Sequence, residues 1–228
     1  MFKFRHISND LNIFIIRHGE SQANVDRSCY KEQANRLVEL SESGRQQAKK
    51  AGEFIKSNLN VDSNNTLLFS SSYVRAHQTA EKIKSFLNIK IYLDDRLVEL
   101  NYGLFDGLDT RERFELYPEE AKYYYENKAL RNEFYSRLPM GESPMDVAIR
   151  FQSFWSDVKR NLLEGNSSME NIILVAHSKT NLIIKKTLMN YNVDWYEDEP
   201  NPENCSIMKL VFYKNDDFIE DCGYVFIP

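Results

Sequence analysis

Glycine and proline are scarce in this chain, at 8 and 6 of 228 residues. That scarcity excludes collagen-like and low-complexity disordered chains. Cysteine is scarcer still: Cys29, Cys205 and Cys222 are an odd number without close spacing, so they give neither a disulfide framework nor a zinc-site pattern. Excess positive charge is missing. A formal net charge of −5 argues against broad attraction to nucleic acid or acidic membranes. Long apolar runs are missing too, and Ile13 to Ile16 is far too short for a signal-peptide core or a membrane span. No Pro-, Gly- or Ser-rich linker divides the chain, so a single domain over residues 1–228 is expected. Its expected location is the cytoplasm, with no nucleic-acid and no membrane partner.

Three short apolar runs are present: Leu11 to Ile16, Thr66 to Phe69, and Asn171 to Ala176. Unbroken runs of this length, rich in Ile and Val, suit strands covered on both faces of a parallel or mixed sheet. Cys205 to Phe212 and Phe218 to Phe226 read as two more strands around the turn Lys214-Asn215-Asp216-Asp217. Helical spacing fills the intervals. Ser41 caps a helix to about Leu59, and Ser72 caps the next, with Ala76, Ala80, Ile83 and Leu87 spaced for burial. Ser143-Pro144 starts a third, with Val147, Phe151, Phe154, Trp155, Val158 and Leu162 on one stripe. Another helix follows His177. Alternating strands and helices predict an α/β fold in three layers, α/β/α.

The strand ends carry the chemistry. The first run ends at Arg17-His18-Gly19-Glu20, the last at His177-Ser178, and the middle one leads through serines into a helix whose first turn holds Arg75. Open α/β sheets bind ligands outside the carboxyl ends of their strands. Two arginines and two histidines there make a local positive pocket in a negative protein, with a helix N-terminus adding amide donors. Arginine matches phosphate oxygens with a rigid fork of donors and keeps its charge. A histidine nitrogen can attack phosphorus near neutral pH. Gly19 leaves room for backbone to approach an oxyanion.

The segment Arg17-His18-Gly19-Glu20-Ser21-Gln22-Ala23-Asn24 resembles the signature of the histidine phosphatase superfamily, which includes cofactor-dependent phosphoglycerate mutases. The likeness continues through Leu40 to Ala48, Ser71 to Ala80, Glu99-Leu100-Asn101-Tyr102-Gly103 and Val175-Ala176-His177, five blocks in the family's order. The resemblance implies a phosphoglycerate mutase-like fold with a mostly parallel central sheet. It implies catalysis by His18, which takes up the phosphoryl group, with Arg17, Arg75 and His177 neutralising its oxygens. Glu99 would protonate the leaving oxygen and then activate water. Asn24, Ser21, Tyr102 and Ser178 would bind substrate. No metal and no cofactor is implied, because cationic side chains supply the electrostatic stabilisation. The one implied partner is a small phosphorylated substrate.

Mutases and hydrolases of the family share this machinery. Tyr102, three residues after the acid, fits the mutase pattern. Thr110 stands near the place of the mutase's substrate-binding lysine, however, and only Arg131 stands in for its arginine doublet. Phe134 to Ser143, Asp146-Val147, and Trp195 to Ser206 with Glu197 and Asn204 look more like broad-range acid phosphatase-like members. The expected activity is therefore a metal-independent phosphatase of the histidine acid phosphatase type. A phosphoglycerate mutase and a non-catalytic module binding phosphorylated ligands are the alternatives. Ser178 departs from the family's usual glycine, and can either bond the phosphate or narrow the pocket.

Ordinary roles compete for several residues. A lone strand-end histidine is usually a core residue, and Asp94 and Asp95 compete with Glu99 as the carboxylate. His6 and His77 read as structural or exposed, and Glu197-Asp198-Glu199 as a solvated loop. The aromatic stretch from Phe114 to Tyr135 reads mainly as packing of short helices, in a helical cap-like insertion at about 109–140.

Overall fold

A computed structural model describes residues 10–164, 169–213 and 218–228. His6 and the expected turn at Lys214 to Asp217 lie outside these residues. The described strands are β1 (Leu11–Arg17), β2 (Thr66–Ser70), β3 (Ile91–Leu93), β4 (Asn171–Ala176), β5 (Ile207–Tyr213) and β6 (Phe218–Phe226). They form one sheet in the order β3-β2-β4-β1-β5-β6. The first four in that order pair in parallel, while β5 runs antiparallel to β1 and β6. The described helices are α1 (Gln22–Val25), α2 (Cys29–Glu32), α3 (Glu42–Asn58), α4 (Val74–Leu87), α5 (Thr110–Leu116), α6 (Pro118–Arg131), α7 (Pro144–Glu164), α8 (Ser178–Met189) and α9 (Val193–Asp198).

Alternation along β1 sorts the layers. Leu11, Ile13 and Ile15 pack with Phe151, Phe154, Trp155 and Val158 of α7 and with Ile184 and Leu188 of α8. Phe14 and Ile16, on the opposite face, pack with Ala48, Ala51 and Ile55 of α3 and with Ala76, Ala80 and Ile83 of α4. The three-layer α/β/α arrangement is thus built as the spacing implies, because a strand's side chains alternate faces while each helix offers one stripe. A third, smaller cluster lies beside the layers: Phe105, Ala121, Tyr124, Phe134, Leu138, Val147, Leu182 and Tyr196.

Start signals explain most helix boundaries. The Ser41 hydroxyl accepts from the Gly44 amide at the head of α3. At α7 the Ser143 hydroxyl accepts from the Asp146 amide at 3.3 Å, and Asp146 accepts back from the Ser143 amide at 2.7 Å. Ser72 behaves differently from its expected role as a cap. Helix α4 begins after Tyr73, whose amide donates to Ser71 Oγ at 3.2 Å, and Ser72 spends its hydroxyl on Asp95. Strand β5 starts at Ile207 rather than Cys205, because Cys205 holds a left-handed φ of 57°. Glu197 and Asp198 lie in α9 instead of a loop, and Glu197 accepts from the Glu133 amide at 2.6 Å.

Candidate active site

Strand register places the two histidines. In the parallel pair β1–β4, Arg17 sits opposite Ala176, so the next residues, His18 and His177, leave the sheet side by side. Their ring centroids are 5.1 Å apart, at 63°. Strand β2 lies on the far side of β4, with Ser70 opposite Val175. The Ser71 hydroxyl therefore meets His177 Nε2 at 2.8 Å. Both histidines are buried. Ser71 Oγ also accepts from the Tyr73 amide; with a second lone pair and its own proton, the hydroxyl can either accept from His177 Nε2 or donate to it. The other ring nitrogen of His177, Nδ1, is a buried atom with no hydrogen-bond partner.

The ring proton of His18 is fixed by a neighbour that can only accept. Its Nδ1 lies 2.7 Å from the Gly19 carbonyl, which can only accept, so Nδ1 carries the proton. Arg75 Nε donates to His18 Nε2 at 3.2 Å, so Nε2 is unprotonated and its one lone pair accepts that bond. Burial, reinforced by Arg75 and Arg17, holds His18 well below the ordinary imidazole range. Burial and then Arg75 do the same to His177. Nε2 of His18 therefore stays unprotonated at neutral pH.

Arg75 reaches this point from the first turn of α4. It is buried, its Nη1 donates to the Asn35 carbonyl at 2.7 Å, and its guanidinium lies 5.1 Å from the Tyr73 ring centre. Asn35 Nδ2 in turn donates to both carboxylate oxygens of Asp106 at 3.0 Å. Arg17 Nη1 donates to the Pro202 carbonyl at 2.7 Å, whereas its buried Nε has no partner. A buried donor without an acceptor is costly. Arg17 Nε is such a donor, and an anion in the cavity that Arg17 lines would satisfy it.

Glu99 is fixed by the head of α8. One carboxylate oxygen accepts from the Leu100 amide at 2.9 Å and from the Thr180 amide and hydroxyl at 3.1 Å each; the other accepts from the Lys179 amide at 3.3 Å. Asp94 and Asp95, the competing carboxylates, are engaged elsewhere: Asp94 pairs with Arg96 at 2.7 Å, and Asp95 holds Ser72. Arg17, His18, Arg75 and Glu99 line one cavity of about 410 Å³. His177, 5.1 Å from His18 between ring centres, is not among its lining residues.

All four residues expected to bind substrate also line this cavity, but two are largely committed to the protein. Ser21 caps α1, with its hydroxyl donating to Asn24 Oδ1 at 3.0 Å and accepting from the Asn24 amide at 3.3 Å. Ser178 Oγ donates to Asn201 Oδ1 at 3.0 Å. Asn24 keeps its amide nitrogen for the cavity. Burial first, then Glu99, raises Tyr102 above the ordinary tyrosine range. Gly19 departs from its expected use. A side chain there would meet the Gly44 carbonyl oxygen at 2.4 Å, so the space admits the head of α3. The Gly19 amide goes to Thr79 Oγ1 at 3.1 Å rather than to an anion.

Several lining residues escaped the sequence reading: Arg27, Tyr30, Asn35, Asp106, Arg113 and Lys179. Arg131, the expected stand-in for a mutase arginine, is exposed near the end of α6 and does not line the cavity. Arg113 does. His77 is half-exposed and lies 3.4 Å from Glu81 one turn on, as an ordinary helix pair. Among the described residues no group of three His, Cys, Asp or Glu side chains is placed to hold a metal ion, and no helix is long and apolar enough to cross a membrane.

Comparison with known proteins gives a consistent picture. The family model described as histidine phosphatase superfamily (branch 1) matches residues 13–223. The chain is 28% identical over 219 residues to phosphoglycerate mutase-like protein AT74 of Arabidopsis thaliana, covering 90% of this chain and 66% of that protein. It thus spans just under two thirds of that relative's length. Over 170 residues it is 28% identical to phosphoserine phosphatase 1 of Hydrogenobacter thermophilus, covering 74% and 71% of the two chains. Mycobacterial glucosyl-3-phosphoglycerate phosphatase superposes with a TM-score of 0.71 at 23% identity, over 94% of this chain and 98% of that one. That last likeness is one of fold.

Proposed function

Because the chain belongs to the histidine phosphatase superfamily, branch 1, we propose that it hydrolyses small phosphate monoesters through a phosphohistidine on His18. The carrying observation is the state of the His18 ring: Nδ1–H donates to the Gly19 carbonyl, so Nε2 is unprotonated, and its lone pair, which accepts from Arg75 Nε, becomes available to phosphorus when Arg75 turns to the phosphoryl oxygens. An imidazole held this way is a nucleophile without prior loss of a proton.

The steps follow from the geometry. The phosphoryl group takes the place next to His18 Nε2, and its oxygens accept from Arg17 Nε, a buried donor without a partner, from Arg75 as its Nε leaves Nε2, and from His177. Nε2 forms a bond to phosphorus as the ester oxygen leaves, and Glu99 delivers the proton which that oxygen needs. Glu99 then removes a proton from water, which attacks phosphorus and restores His18 and inorganic phosphate. Two guanidiniums and a neutral imidazole donor supply the charge stabilisation, so no metal takes part. Tyr102 and the amide nitrogen of Asn24 bind the rest of the substrate. Residues 109–140 act as a cap beside this opening, and the protein works in the cytoplasm.

Release of phosphate from p-nitrophenyl phosphate and alkyl phosphates in EDTA, for wild type and His18→Ala, tests this reading. Wild-type turnover that persists in EDTA and falls about 10⁴-fold or more in the variant is the expected result. Loss of wild-type turnover on chelation would overturn it. A second reading, phosphoglycerate mutase, is favoured by Tyr102 in the cavity wall and by the mutase-like relative. Interconversion of 3- and 2-phosphoglycerate faster than phosphate release would replace the first reading with the second.

A further inference from the structure

The cavity holds more positive charge than one phosphoryl group requires. Arg17 and Arg75 stand at the phosphoryl end, yet Arg27, Arg113 and Lys179 also line the walls, against the carboxylates of Glu99 and Asp106. None of the five cations makes an ion pair among the described residues. Five cations against two carboxylates, concentrated in one cleft of a protein with net charge −5, constitute a local field for an anion.

Arg113 is the most organised of the surplus cations. From α5 its Nε donates to the Leu108 carbonyl at 3.1 Å and its Nη1 to the Tyr125 hydroxyl at 3.2 Å. Its guanidinium lies 5.1 Å from the Phe105 ring centre. Tyr125 is held in turn by Phe114, at 5.4 Å and 15° between ring planes, and by Thr110 at 3.3 Å. Every one of these supports is neutral. The guanidinium is therefore fixed in orientation while its charge and its Nη2 donors stay unspent. Lys179 is anchored through its backbone to Glu99 and lies with Nζ 5.2 Å from the Tyr196 ring centre, again on a neutral partner.

We infer that Arg113, assisted by Lys179, forms a second anion subsite, so that the preferred substrates carry a carboxylate or second phosphate on the portion that departs with the ester oxygen. This rests on the phosphatase reading of the same cavity. Fixed donors bind an anion without paying again to order the side chain, and a planar fork suits carboxylate and phosphate alike. Selectivity then comes from α5 and α8, while the phosphoryl chemistry is common to all substrates.

The test compares ω-carboxyalkyl phosphates of increasing chain length with alkyl phosphates of matching length, in kcat/KM for wild type, Arg113→Gln and Lys179→Met. At one or more lengths wild type is expected to prefer the carboxylate by about tenfold or more, and Arg113→Gln to bring that ratio close to one. Lys179→Met should reduce it partially. The matching bisphosphates distinguish a carboxylate site from a phosphate site. The same ratios are read as dissociation constants with His18→Ala, where turnover is not needed. A wild type that hydrolyses every ester with no preference for charged ones at any length would overturn the subsite and leave the phosphatase standing. A chain that turns nothing over would sink the phosphatase reading, and the binding ratios would still decide the subsite. Equal affinities for charged and uncharged partners would end it.

Discussion

The carboxyl end of the sheet and the segment around α5 and α6 border the same cavity, yet they are built in opposite ways. At the sheet end, each functional side chain follows directly from a strand or a helix head, and the elements beneath are fully buried: all six residues of β4 are inaccessible or nearly so. In α5 and α6, Leu116, Tyr123 and Leu130 are 60%, 68% and 83% exposed, and the packing is a small aromatic cluster around Phe105 and Tyr124. The first region places His18 and His177 through the register of neighbouring strands. The second supplies an arginine whose position depends on stacked rings. On the proposed reading, reaction and selectivity fall to parts that are packed unequally, which lets one change with less damage to the other.

Mutations that strike one region and spare the other sharpen this contrast. The largest effect is expected in the sheet core. Trp155→Ala removes a fully buried side chain between α7 and the sheet and should cost about 3–5 kcal/mol in urea unfolding. Leu130→Ser on exposed α6 should change stability by less than about 0.5 kcal/mol. Comparable losses from both would erase the distinction between the two regions.

A smaller effect is expected for Glu99→Gln, which keeps the shape but removes the transferable proton. Alkyl phosphates, whose leaving oxygen needs that proton, should slow by about 10²-fold or more. p-Nitrophenyl phosphate, with its good leaving group, should slow far less in the bond-breaking step. Equal slowing of both in single-turnover measurements would place Glu99 outside proton delivery.

The smallest expected effect is on the pH dependence of stability. His18 and His177 are buried and held well below the imidazole range, so the unfolded chain binds protons that the folded chain refuses. Their contribution to stability is complete above the unfolded value of about 6.5 and is lost as pH falls from there through the folded values. Thermal midpoints should therefore fall on acidification from neutral pH, and fall less in the double variant His18→Asn, His177→Asn. An identical acid slope in the two proteins would contradict the burial argument.

The sequence made the sheet end legible and the opposite wall mostly opaque, for a physical reason. His18 and His177 follow apolar runs of the kind that form interior parallel strands, and neighbouring strands bring their carboxyl ends together whatever lies between. Arg113 offered no such signal: its place depends on Phe105, Leu108 and Tyr125 meeting across three separate turns, which no local pattern encodes. Strand β3 went unread because it has only three residues at a sheet edge and two of them are exposed. Ser72 looked like a cap by residue type, but competition from Asp95 draws its hydroxyl away. Gly19 was recognised as a close-approach position, while the partner it admits, Gly44, lies 25 residues further on and is identified only by the packing of α3.

The central claim, that His18 Nε2 carries the phosphoryl group, is tested most directly by trapping it. The protein would be mixed with a substrate, quenched in alkali where phosphohistidine survives, digested, and read by mass spectrometry. The expected result is one phosphoryl group on the peptide that contains His18, absent from His18→Ala and discharged when turnover is allowed to finish. Wild-type turnover with no label on that peptide, or with the label on another residue, would contradict the account.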